Sequence, residues 1–159
     1  MDKIPVAVLG LGRIGGYISQ LLHNSGRYDV LGVDVNEEAT GQYQSLFQTR
    51  LLQDHDYKSV MKDRRAVISA SGFSDNPTIA KYALQAGCSY FDLTEDVSCT
   101  QEIKRIASKA ENGQVFVPQC GLAPGFVGIV ANSFAGDFET LDTLKLRVGA
   151  LPEFPANQM

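Results

Sequence analysis

With 159 residues the chain is long enough for one domain with a buried core. It is 44% hydrophobic and 20% charged, as a folded globular protein is, and its net charge of −4 leaves no basic stripe for nucleic acid. No apolar run approaches the ~20 residues of a membrane span.

In chain order, residues 4–9 read as a buried strand, with Pro5 tolerable near its start. The run VAVLGLGRIGG (residues 6–16) then sets Gly10, Gly12 and Gly15 in G-x-G-x-x-G spacing between that strand and a helix over residues 13–23. Gly10 permits the tight turn, Gly12 lets backbone approach a pyrophosphate, and Gly15 brings helix and strand close. The N–H groups opening the helix face an anion with a favourable dipole. Gly26 supplies a left-handed cap. Residues 30–35 form the second strand, in which Asp34 lies where an acidic side chain accepts hydrogen bonds from an adenosine ribose. Val35 follows it.

A helix over 37–47, a short strand over 50–53 and a short helix over 57–62 come next. AVISA (residues 66–70) is a fourth strand and runs into ASGF. There the small residues Ala70, Ser71 and Gly72, followed by Phe73, let backbone pass beside a cofactor. Pro77 opens a helix ending at Gly87. A fifth strand over 90–93 leads into DLTED, which sends Asp92, Thr94, Glu95 and Asp96 toward the same sheet edge. Three acids in five residues bind an amine or relay a proton. Alternatively Thr94 or Asp96 caps the helix expected from 98 to about 112, and Asp92 turns into the sheet. A sixth strand over 115–117 precedes the CGLAPG loop, in which Cys120 is either a packing residue or a thiol of lowered pKa near a helix start. Gly121 and Pro124 shape a wall beside it, and residues 126–134 are helical. LKLRV then alternates apolar and basic residues, which predicts a half-solvated antiparallel strand over 143–149.

Strands alternating with helices predict an α/β, doubly wound, mostly parallel sheet of the Rossmann NAD(P)-binding type. The domain reading is a dinucleotide-binding unit over 1–142. The start of a substrate or dimerisation domain is expected over 143–159, cut short. Three cysteines without C-x-x-C spacing and two isolated histidines predict no disulfide framework and no metal site. The N-terminus lacks a signal peptide's charged start, which together with the cysteines predicts a cytoplasmic protein. Asp34, followed by Asn36, Glu37 and Glu38 without a nearby Arg or Lys, favours the 2′-hydroxyl of NAD over the 2′-phosphate of NADP. At ~1.5–3 kcal/mol for a hydrogen bond to a charged group, the expected preference is about tenfold or more.

GLGRIGG, the Asp34 strand end, YFDLTED and CGLAPGFVGIVAN together resemble the saccharopine dehydrogenase-like oxidoreductases, including lysine dehydrogenases. The resemblance implies pyridine-nucleotide-dependent oxidation at a C–N bond of an amino acid or an amine derived from one, or the reverse imine reduction. It places Gly10, Gly12, Arg13, Ile14 and Gly15 on the pyrophosphate and Asp34 on the ribose. Ser71, Gly72, Phe73, Leu93 and Thr94 then flank the nicotinamide. Glu95, Asp96 and the loop from Cys120 approach an amino-acid-type substrate. Ala123 departs from the acidic residue that glutamate-forming saccharopine reductases of the family carry, which favours the lysine-dehydrogenase-like branches. A homodimer is expected of the full-length protein. The alternative is a non-catalytic NAD-sensing domain, similar to the regulatory domains of potassium transporters, which share the glycine loop and the acid. Such a sensor has little need of DLTED and CGLAPG.

Overall fold

Six strands pair side by side in the computed structural model, which describes residues 2–111 and 113–149. They are β1 (Ile4–Leu9), β2 (Tyr28–Asp34), β3 (Gln48–Leu51), β4 (Ala66–Ser69), β5 (Ser89–Asp92) and β6 (Phe116–Val117). All pairings are parallel, in the order β3-β2-β1-β4-β5-β6. Parallel neighbours need crossovers, and the helices α1 (Arg13–Asn24), α2 (Glu37–Tyr43), α3 (Tyr57–Met61), α4 (Asn76–Ala86) and α5 (Val97–Ala107) supply them. The chain reverses its direction of travel between β3 and β4, so the carboxyl ends of β1 and β4 flank the crevice where such sheets take ligands.

Alternation along each strand divides the core into two layers. Ala7, Leu9, Val33, Val67 and Tyr90 face α3, α4 and α5 and meet Met61, Ile79 and Ile103, all buried. Val6, Val8 and Val30 face the other way, onto α1 and α2, where Tyr43 stacks on Phe47 with ring centres 5.6 Å apart. Local chemistry sets the helix ends. Asn36 caps α2 by accepting the Glu38 N–H at 2.8 Å, and Gly87 ends α4 in the left-handed conformation.

Most expected elements form within a few residues of the expected bounds. The 37–47 helix stops at Tyr43, and the 98–112 helix runs instead from Val97 to Ala107 because Asp96, not a later residue, is its cap. The strand expected over 143–149 is a correction: these residues pair with nothing among the described residues, and Leu144 and Leu146 are exposed. An alternating pattern makes a strand only where a sheet edge offers partners for its N–H and C=O groups. Residues 150–159 lie outside the described residues. The last helix, α6 (Phe126–Ala135), is apolar nearly all round, yet buries only Ala131.

Candidate dinucleotide-binding site

The turn after β1 is built for close approach. Gly10 has φ +89°, and a Cβ there would stand 2.8 Å from the Ala70 carbonyl oxygen. Gly15 lies against the Gly10 carbonyl and 2.9 Å (from an added Cβ) from the Ala70 side chain, which brings α1 down onto the end of β4. At Gly12 an added Cβ meets nothing within 4 Å, and no side chain caps α1. The first turn of a twelve-residue helix therefore presents its N–H groups outward beside open space.

Asp34 closes this turn from β2. Its Oδ2 accepts the Leu11 N–H at 2.6 Å and its Oδ1 accepts the Asn36 N–H at 2.9 Å. A carboxylate offers about four acceptor positions, so two remain for a ligand after the glycine loop is held. Arg50, on the neighbouring strand, turns its guanidinium to the Ser59 hydroxyl at 3.4 Å.

Two cavities flank the turn. The smaller, about 290 Å³, is lined by Gly10, Gly12, Asp34, Val35, Leu52 and Gly72 among others. The larger, about 670 Å³, is lined by Ile14, Phe73, Asn76, Leu93, Thr94 and Glu95 among others. Ala70 and Ser71 belong to both. Together the two cavities, which share Ala70 and Ser71, set Asp34, the helix start and the ends of β4 and β5 along one edge of the sheet.

The far wall is held by Asp92, fully buried at the end of β5. Its Oδ1 accepts the N–H groups of Thr94 (2.9 Å) and Gln119 (3.1 Å), and its Oδ2 accepts the Tyr90 hydroxyl at 2.8 Å. Burial, and then the charge of Asp92, push the Tyr90 phenol upward, so it stays a donor. The Cys120 N–H also donates to the Asp92 carbonyl, at 2.7 Å. One residue therefore joins the DLTED turn to the CGLAPG loop. That loop lies close: a Cβ on Gly121 would stand 3.3 Å from the Leu93 carbonyl oxygen.

Eleven of the fourteen expected cofactor residues line the two cavities: Gly10, Gly12, Ile14, Asp34, Val35, Ala70, Ser71, Gly72, Phe73, Leu93 and Thr94. Gly15 is buried beneath them, Arg13 is exposed at the helix start, and Gly121 stands behind Leu93. Glu95 is exposed at the larger cavity. Asp96 lines it too, but its Oδ1 accepts the Cys99 N–H at 2.6 Å and the Ser98 hydroxyl at 2.7 Å. These bonds hold its carboxyl below the usual carboxylate range, which suits a helix cap and not a proton donor.

Of the two readings of Cys120, its surroundings go against the thiol of lowered pKa and leave the packing residue. Cys120 lines neither of the two cavities. It borders an apolar groove with Ile18, Ile68 and Phe91, and its thiol donates to the Val117 carbonyl at 3.2 Å. Partial enclosure of the sulfur, with the carboxylate of Asp92 behind it, raises the thiol pKa. It stands five residues before the Gly125 cap of α6, too early for that helix start to act on it. Asn76 went unforeseen, because an Asn before a proline reads as a loop residue. The structure makes it the first residue of α4 and turns it inward.

Residues 6–117 match the family described as "Saccharopine dehydrogenase NADP binding domain". The chain belongs to this family. It is an NAD(P)-binding domain of the dehydrogenase kind. Solved structures share its fold at low identity. The myo-inositol 2-dehydrogenase of Lactobacillus plantarum is 17% identical with a TM-score of 0.68, over 86% of this chain and 42% of that one. GenD2 from gentamicin A biosynthesis, in complex with NAD, is 23% identical with a TM-score of 0.66, over 90% and 42%. The L-Glu-forming saccharopine dehydrogenase of Saccharomyces cerevisiae is 16% identical with a TM-score of 0.65, over 84% and 31%. The chain thus spans less than half the length of each of these structures. Among the described residues no helix is long and apolar enough to cross a membrane, and no group of His, Cys, Asp and Glu is placed to hold a metal.

Proposed function

We propose that this chain seats NAD, in preference to NADP, for an oxidoreductase that acts on the C–N bond of an amino acid or an amine derived from one. The observation that carries the reading is the pair of cavities, sharing Ala70 and Ser71, that brings Asp34, the uncapped start of α1 and Glu95 to one sheet edge. The helix start suits the pyrophosphate. The carboxylate of Asp34 suits the vicinal hydroxyls of a ribose and repels a 2′-phosphate. The family description names NADP, so the cofactor choice rests on Asp34.

A bound nicotinamide supplies the hydride acceptor or donor. The chain's own part is to orient: Ile14 and Leu93 line the cavity that takes the ring, and Asp92 fixes the wall that Thr94 and Gly121 belong to. Glu95 is the carboxylate in reach of an ammonium substrate. The resemblance of YFDLTED and CGLAPG to lysine-dehydrogenase-like sequences supports the C–N reading.

Calorimetric titration with NADH and NADPH tests the first half. The expected result is an NADH Kd at least about tenfold lower; equal constants or the reverse order remove the preference, and no binding of either removes the reading. For the second half, the gene product containing this chain is assayed for NAD reduction with amino acids against 2-hydroxy acids and polyols. Turnover of the alcohols alone overturns the C–N assignment, and binding without any turnover returns a sensing role.

A further inference from the structure

Asn76 is 1% exposed, yet it lines the larger cavity. Its side chain is only half engaged. Oδ1 accepts the hydroxyl of Ser69, itself buried at the end of β4, at 2.7 Å. Nδ2 has no oxygen or nitrogen acceptor among the described residues. Its neighbour on the protein side is the sulfur of Cys99, a weak acceptor. Asn76 itself lines the larger cavity, so this half-engaged amide stands at its wall.

We infer that Asn76 Nδ2 donates a hydrogen bond to the carboxamide oxygen of the nicotinamide ring. The inference rests on the dinucleotide reading above and adds a residue that orients the reacting ring. The larger cavity adjoins the smaller one at Ala70 and Ser71. With adenosine at Asp34 and pyrophosphate at the helix start, the nicotinamide half is what remains to fill it. The carboxamide is the neutral carbonyl in that half, and an uncharged amide donor matches it without the desolvation penalty of a cation. Ile14, Phe73, Leu93 and Val97 give the ring apolar neighbours. The Ser69 hydroxyl locks the amide rotamer, so little freedom is lost on binding.

The experiment compares NADH with ADP-ribose, which keeps the adenosine, pyrophosphate and distal ribose and lacks the nicotinamide. NADPH and its 2′-phosphorylated counterpart form a parallel pair. Asn76→Ala is expected to weaken NADH about three- to tenfold and to leave ADP-ribose within about twofold. Because that variant strands the Ser69 hydroxyl, a second one, Ser69→Ala with Asn76→Leu, removes both polar partners and is expected to show the same NADH-specific loss. Equal weakening of both ligands, which a structural role or a ribose contact produces, overturns the inference. So does unchanged NADH affinity in either variant. A wild-type protein that binds ADP-ribose as tightly as NADH overturns this inference alone. One that binds neither overturns the dinucleotide reading and this one with it.

Discussion

Asp34 serves the protein and the ligand with the same carboxylate. The bonds from Leu11 and Asn36 fix its rotamer, and the unused acceptor positions face the smaller cavity. Replacing Asp34 with Ser removes both the ribose acceptors and the charge that opposes a 2′-phosphate. The NADH Kd is expected to rise about tenfold or more while the NADPH Kd rises less or falls. Fluorescence titration with both cofactors reads this ratio, and an unchanged ratio would show that Asp34 does not contact the ribose. Asp92 belongs wholly to the protein side. Asp92→Ala leaves the Tyr90 hydroxyl and two backbone N–H groups without their acceptor, for an expected loss of about 3 kcal/mol or more. Tyr90→Phe removes one donor and leaves the acceptor its other two, so it is expected to cost about 1 kcal/mol. Urea unfolding separates the two, and equal losses would mean that Asp92 does not join the loops.

At the scale of the elements, legibility follows from how local the determining interaction is. Gly10 and Gly15 were readable because their constraint is steric and lies within one strand-turn-helix. The helix start at Asp96 was readable as one of two alternatives, since a cap is a bond to a residue three positions on. Cys120 was not. Its surroundings come from Ile18, Ile68 and Phe91, far away in sequence, and no spacing rule carries that information. Asn76 and Ser69 likewise meet only because β4 and α4 fold against each other. The 143–149 strand failed for the complementary reason: its pattern is local, but a strand depends on a partner. The cap at Asp96 also predicts a pH dependence. Its carboxyl sits below the usual value of 3.8 when folded, so its contribution is fully present above that value and is lost as pH falls through the lower folded value. The stability difference between wild type and Asp96→Ala is thus expected to be constant at neutral pH and to shrink below pH 3.8. A pH series of thermal unfolding curves checks it, and a difference that persists into strong acid would detach the cap from its charge.

Across the whole molecule, burial is uneven in a way that separates what stabilises this domain from what it leaves open. The face carrying α3, α4 and α5 is closed: Ile79, Met61 and Ile103 are each 0% exposed. On the opposite face α1 and α2 cover β1 to β3, and beyond α1 an apolar groove of about 440 Å³ runs over Ile68, Phe91 and Leu93. α6 adds apolar surface of its own, with Ile129 72% and Phe134 62% exposed. Transfer from water stabilises only atoms that leave water, so two isoleucines of equal size must differ sharply. Ile103→Ala removes buried methyl groups and leaves a cavity between α5 and the sheet, for an expected cost of about 2–5 kcal/mol. Ile129→Ala changes a side chain that is mostly solvated, and its expected effect stays within about 0.5 kcal/mol. Denaturant unfolding at low protein concentration measures both, with an unchanged slope marking a change in stability alone. A large loss at Ile129 would mean that α6 packs more closely in solution than on this open face.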